Sequence, residues 1–225
     1  MPNRASELEW SEAVAGGAAA RGGLTRATIV AAALEIADAE GLDAVSIRRV
    51  AAALSARPMS LYTHIASKDD LVALMLDEVS AELIVPQLPS GWREAIGAIA
   101  RQAFAAYLAH PWMLSAFGRG PRVGPNHLRR AEQSATAVAG LGIDPADAWT
   151  ALRIVHEWTM GHALHVVTLR EDAALEQQLS RADPGSFPQM AKVFPAMRGR
   201  PHDTSFDAAL DVLLDGIERR FLERR

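Results

Sequence analysis

The chain has 225 residues, a formal net charge of −4, 49% hydrophobic residues and no cysteine, which is length enough for two domains that each bury a core. The lack of cysteine excludes disulfides and thiolate metal sites, and no apolar run is long enough to span a membrane. In a chain that is acidic overall, a local basic cluster is the feature that needs a physical reason.

Residues 1–23 read as a flexible arm. Glu7, Glu9 and Glu12 are followed by the small residues Ala15 to Ala20, too weakly apolar for the core of a signal peptide. Arg21 and Arg26 lie close enough to the next segment to reach a phosphate. Thr25 is a helix cap, and the apolar face behind it runs through Ile29, Ala33, Leu34 and Ile36/Ala37 to Gly41, a left-handed stop. A second short helix, Ser46 to Ala53, turns Ile47, Val50, Ala51 and Leu54 to one side and leaves Arg48 and Arg49 outward. Pro58 suits the first position of a third helix and biases Arg57 toward an extended conformation, which places the turn at Ser55 to Arg57. In a helix Pro58 to Ile65, Leu61 and Ile65 face the core, with Pro58, Met59, Tyr62 and Thr63 outward and Ser60 and His64 on the flanks. Ser67 with Asp70 three residues on is another capping pattern, and Lys68 falls in a first turn whose N–H groups favour a phosphate. No acidic residue occurs from Ala44 to Lys68. Two short helices across a tight turn, flanked by Arg48, Arg57 and Lys68, have the geometry that inserts the second helix into a DNA major groove.

Beyond Val79 the pattern is helical throughout, with no strand alternation and no internal repeat. The spacing predicts helices over Gly91–Ala109, Trp112–Phe117, Pro125–Ala139, Pro145–Leu169, Asp172–Arg181 and Thr204–Leu222. The last carries Phe206, Leu210, Leu213, Leu214, Ile217 and Phe221 on one face. With Leu152, Val155, Thr159, His162 and Val166 on the long helix, that face is expected to form a dimer seam rather than intramolecular core.

The residues Leu24-Thr25-Arg26, Glu40-Gly41-Leu42, Ser46-Ile47-Arg48-Arg49-Val50-Ala51, Leu61-Tyr62-Thr63-His64 and Ser67-Lys68-Asp69-Asp70-Leu71 resemble the DNA-binding domain of tetracycline-repressor (TetR) family regulators. The Leu-Tyr-x-His step and the lysine four residues after the histidine are its most specific part. The resemblance implies that Arg48 approaches DNA from the first helix of the motif and that Ser60 and Thr63 face the groove. It also implies that Tyr62, His64 and Lys68 contact or brace the sugar-phosphate backbone. Ser55 departs from the pattern, standing where the family usually has glycine, and a serine disfavours a left-handed turn. His110-Pro111-Trp112, Gly124-Pro125-Asn126 and the terminal Phe206 to Ile217 segment resemble the family's effector domain. This implies a small-molecule pocket, for which Phe104, Tyr107, Trp112, Met113, Phe117, Asn126, Trp149, His156, Trp158 and Met160 are the candidates, with ordinary core packing as the alternative for each.

Other chemistry fails on spacing. The segment Gly118 to Gly124 lacks the spacing and preceding strand of a phosphate loop. Of His156, His162 and His165 only the last two share a helix face, with no carboxylate or cysteine to complete a metal set. No Gly-x-Ser-x-Gly nucleophile elbow is present. The sequence therefore predicts an all-α, non-enzymatic, cytoplasmic regulator without cofactor or metal. It divides into a helix-turn-helix head (24–70) and a helical effector-binding and dimerisation body (71–225). The expected partners are a near-palindromic DNA operator, a small-molecule effector and a second copy of the chain. The rival from another class is a helical small-molecule-binding protein or enzyme whose basic motif is only a solvated surface.

Overall fold

The computed structural model describes residues 23–116, 123–169, 186–189, 192 and 206–222, and their regular structure is all helical. The helices are α1 (Arg26–Glu40), α2 (Ile47–Ala53), α3 (Pro58–Leu61), α4 (Lys68–Ser80), α5 (Trp92–Ala109), α6 (Trp112–Ala116), α7 (Pro125–Ala139), α8 (Pro145–Leu169) and α9 (Phe206–Phe221), with a 3-10 turn at Leu42–Ala44 between α1 and α2. The expected N-terminal arm and the Asp172–Arg181 helix lie outside the described residues. The chain packs as two compact units, one built from the residues up to Gln87 with Ala105–Ala135, the other from Leu88–Phe104 with Thr136 onward.

In the first unit the helix starts are set locally. Thr25 Oγ1 accepts the Thr28 N–H at 3.1 Å while Thr28 Oγ1 accepts the Thr25 N–H at 3.0 Å, a reciprocal cap. Ser67 Oγ accepts from Asp70 N at 3.1 Å, so the caps expected at Thr25 and Ser67 both form, while Ser46, expected as the first residue of its helix, caps it instead, its Oγ accepting from Arg49 N at 3.3 Å. Gly41 ends α1 at φ 84° and ψ 166°. Its φ is positive as expected, but the ψ places it in the extended region open only to glycine, not in the left-handed helical one. The core is close-packed from Ile29, Ala33, Val50, Ala51, Leu61, Leu71 and Met75, all fully buried.

Two local expectations change. The regular part of α3 stops at Leu61 instead of running to Ile65, and the His64 and Ile65 N–H groups both close onto the Leu61 carbonyl at 2.9 and 3.0 Å. Leu61 and Ile65 remain buried, because the turn keeps them one helical step apart. Ser55 adopts φ 53° after all. The N–H of the next residue, Ala56, then reaches the Ala51 carbonyl at 2.8 Å, a closure that fixes how the chain leaves α2.

Helix α4 gives way after Ser80 to a 3-10-like turn, with N–H bonds from Glu82, Leu83 and Ile84 to carbonyls three residues back. Its buried carboxylate, Asp77, accepts the His127 N–H at 2.9 Å and the Asn126 N–H at 3.4 Å. Asp77 thus caps the first turn of α7 from another helix. One turn and a half further on, the Gln133 side chain clasps Val85, accepting its N–H at 2.9 Å and donating to its carbonyl at 2.7 Å.

The second unit packs α8 against α9. Ala148, Ala151, Leu152, Val155, Thr159, Ala163 and Val166 of α8 are buried, as are Phe206, Leu210, Leu214 and Ile217 of α9. The terminal face expected to be a dimer seam is therefore largely intrachain core, and so is the matching face of α8. The physical reason is that the two stripes satisfy each other within one chain. Arg93 reinforces the arrangement with contacts to Asp215 at 2.6 Å and Glu218 at 3.4 Å, and Arg101 meets Asp207 at 2.6 Å.

Ser55→Gly relieves a left-handed β-carbon clash worth about 1–2 kcal/mol against roughly 0.5–1 kcal/mol of added backbone entropy in the unfolded chain. The variant is expected to gain about 0.5–1 kcal/mol, read as a higher urea midpoint with an unchanged slope; an unchanged or lower midpoint contradicts the strain.

Candidate nucleic-acid interface

The outward set of the helix-turn-helix is arranged by the short α3 and the cap of α4. Met59 is 74% exposed and Tyr62 48%; Arg48, Arg57, Pro58 and Thr63 are also exposed, and Ser60, His64 and Lys68 half-buried. Leu61 and Ile65 anchor the same segment in the core, so one pair of apolar side chains turns the others to solvent. The Thr63 hydroxyl donates to the Ser60 carbonyl at 2.7 Å, which orients its methyl and its lone pairs outward. Lys68 is the first residue of α4, directly after the Ser67 cap.

The cations of the motif divide into two groups. Arg49 is paired with Glu40 at the end of α1. Arg26, which the sequence left near enough for a phosphate, donates from Nε to the His64 carbonyl at 3.2 Å and so ties the start of α1 to the end of the recognition segment. Among the described residues, no ion pair or side-chain hydrogen bond engages Arg48, Arg57 or Lys68. These three fall within residues 44–68, a stretch without an acidic residue, and are candidates to meet a polyanion. The bracing role of Arg26 carries no spacing signal, because its partner is a backbone carbonyl.

The candidate pocket residues are distributed over both compact units. In the second unit, Phe104 and Trp158 form a ring cluster with Phe206 and His162, two residues of the faces expected to form the dimer seam. Phe104 and Phe206 are stacked with centroids 4.2 Å apart, Trp158 lies 5.0 Å from Phe206, and His162 lies 5.2 Å from Trp158. His156 and Met160 are half-buried on α8, and Trp149 is exposed. In the first unit, Tyr107 and Met113 are fully buried. Burial raises the Tyr107 phenol above its usual value, against the opposing charge and hydrogen bond of Arg130. The same arginine helps burial hold His127 below the ordinary histidine range, with Asp77 acting the other way. Asn126 accepts from Arg129 at 2.7 Å. Trp112 spends its indole N–H on Asp38 of α1, at 2.7 Å. Phe117 lies outside the described residues. Among the described residues no group of three or more acidic or histidine side chains is placed to hold a metal ion, and no helix is long and apolar enough to cross a membrane.

A buried helical core that presents a short recognition segment beside three uncommitted cations defines a helix-turn-helix DNA-binding protein. Comparison with known proteins gives the family. Residues 29–75 match the family of bacterial regulatory proteins of the tetR type, and residues 85–221 match the tetracyclin repressor-like C-terminal domain. The chain belongs to the TetR family of transcriptional regulators, ligand-responsive DNA-binding proteins. It is 33% identical over 217 residues to the HTH-type transcriptional repressor DrrR1 of Streptomyces coeruleorubidus, covering 90% of this chain and 80% of that protein. It is 26% identical to the class A tetracycline repressor from transposon 1721 of Escherichia coli, covering 87% of this chain and 91% of the repressor. Among solved structures, ActR of Streptomyces coelicolor in complex with actinorhodin aligns with a TM-score of 0.75 and 27% identity over 87% of this chain and 97% of ActR.

Lys68→Ala and Arg48→Ala are expected to weaken binding to specific and random DNA alike and to flatten the salt dependence by about one unit for each lost phosphate contact. Arg49→Ala, whose side chain is already paired with Glu40, should have the smaller effect. Met59 or Thr63 substitutions should instead change sequence preference. A salt titration of these variants against one duplex and a scrambled control checks the order.

Proposed function

We propose that the chain is a homodimeric repressor that binds a near-palindromic operator and is released from it by a small-molecule effector held in the body. The observation that carries the DNA half is the division of cations: Arg26 and Arg49 brace the motif, while Arg48, Arg57 and Lys68 stay available beside exposed Met59, Tyr62 and Thr63. The relation to a repressor and to a regulator solved with a bound small molecule supports control by an effector. Mechanistically, Lys68 and Arg48 fix register on the phosphates while Met59, Ser60 and Thr63 meet base edges. Two copies read two half-sites, and an effector that prefers the arrangement with those helices misaligned must weaken the operator by the factor by which the operator weakens it.

The second copy fits surfaces other than the terminal stripe. On α8, Trp149 and Leu164 are 49% and 53% exposed, and on α9 Val212 is 72% exposed. Gly161 and Gly216 have nothing within 4 Å of where a β-carbon would stand, which leaves room for a helix to approach closely. These positions, and not Ile217, are the ones to charge: Ile217 is buried inside its own chain, so a charge there tests folding.

Leu164→Arg with Val212→Arg should give folded monomers that bind the operator weakly, as measured by sedimentation and by binding to a DNA fragment carrying the gene's own promoter. Wild-type protein that is monomeric at micromolar concentration overturns the dimer, and failure to select any such fragment overturns the operator. With a compound shown to bind the body, operator affinity should fall roughly 5–150-fold, for a coupling of about 1–3 kcal/mol; equal affinities at saturation sink induction by that compound.

A further inference from the structure

Three segments of the first unit converge on one imidazole. His110 sits where α5 ends and the chain bends into α6, with its side chain 14% exposed. Its Nδ1 lies 2.6 Å from Asp38 Oδ1 of α1, and its Nε2 lies 3.2 Å from Glu82 Oε2 in the turn after α4. The same Asp38 oxygen accepts the Trp112 indole N–H at 2.7 Å. Trp112 itself is buried at the start of α6.

Both ring nitrogens therefore face carboxylate oxygens, and an ionised carboxylate only accepts. A neutral imidazole carries one N–H, so in that form a nitrogen lone pair opposes a carboxylate lone pair on one side or the other. Only the imidazolium, with a proton on each nitrogen, satisfies Asp38 and Glu82 together. Partial burial by itself would lower the His110 pKa; the hydrogen bonds to Asp38 and to Glu82, with their charges, outweigh it, and the net displacement is upward. The 3-10 turn Leu42–Ala44, which also packs on α6, carries the exposed carboxylate of Asp43.

We propose that His110, held as an imidazolium between Asp38 and Glu82, is a proton-dependent latch that joins helix α1 of the DNA-binding motif to the α5–α6 bend. Deprotonation frees one side. The neutral Nδ1–H tautomer keeps the shorter bond to Asp38 and releases Glu82, so the turn after α4 is uncoupled from α1 and α6. Because the folded protein holds this proton more tightly than the unfolded chain, the latch stabilises the fold fully below the ordinary histidine value of about 6.5 and is lost as pH rises through the raised folded value. On the reading given under Proposed function, which this step rests on, α1 belongs to the DNA-binding motif, so opening the latch loosens the support of that motif and operator affinity should fall as pH rises.

The informative variant is Glu82→Gln. It keeps the size of the side chain, and its amide can donate to an unprotonated Nε2, so the second proton is no longer required. Nitrogen-15 shifts of the His110 ring in the full-length protein are expected to show both nitrogens protonated at about pH 7, with a midpoint above the ordinary value of about 6.5. The midpoint should move down in Glu82→Gln. Binding to an operator duplex selected from genomic fragments should weaken between about pH 6 and pH 9, by up to roughly tenfold for each unit by which the His110 pKa differs between free and operator-bound protein. That loss should move to lower pH in Glu82→Gln. An ordinary midpoint in the wild type, or one that Glu82→Gln leaves in place, overturns the latch. A displaced midpoint with identical pH profiles of operator affinity in the two proteins overturns its control of DNA binding. If no duplex is selected at all, the operator reading fails while the ring titration still decides the latch.

Discussion

Helix α4 is enclosed on nearly every side, and the first unit depends on that burial. Five consecutive residues, Leu71 to Met75, are buried, followed by Asp77, Val79 and Ser80. A helix surrounded in this way cannot slide without breaking packing on several faces, because protein interiors are dense and bistable rather than continuously deformable. Its first residue is the phosphate candidate Lys68, and its last full turn holds the buried carboxylate of Asp77 on the backbone of α7. One rigid element thus carries the candidate phosphate-binding Lys68 at one end and the acceptor that caps α7 at the other.

The polar contacts around α4 are few and specific. Asp77 supplies the acceptor that the first turn of α7 lacks, and Gln133 replaces a backbone partner for Val85. The Asp38, His110 and Trp112 contacts tie α1 to the α5–α6 bend. Each partner pair is far apart in sequence and each group is costly to leave unmade in a partly buried site. Such contacts have two discrete states, made or broken, which is the property a switch requires.

In the DNA-facing part, polar bonds serve alignment. The Arg26 bond to the His64 carbonyl and the Arg49–Glu40 pair engage two cations within the protein and fix the ends of the motif. The cations left over can then meet phosphates with less reorganisation, and a pre-ordered surface retains more of its gross interaction energy as affinity. Ser55 works in the same sense: a strained left-handed residue holds the turn between α2 and α3 in a single path.

The sequence by itself determined what local chemistry controls. Thr25 and Ser67 are short side chains that bond the N–H three residues on, so the starts of α1 and α4 were legible, as was the extended Arg57 before Pro58. The outward position of Met59, Tyr62 and Thr63 followed from the spacing of Leu61 and Ile65. Tertiary structure decided what spacing cannot encode. An apolar stripe on α9 signals that it will be buried but not by what, and packing gave it to α8 of the same chain. Likewise Arg48 and Arg49 are neighbours of one type, and only the fold brings Glu40 to the second. His110 and Trp112 read as pieces of a pocket motif until α1 placed Asp38 between them, because hydrogen bonding across some seventy residues leaves no periodic trace in a sequence.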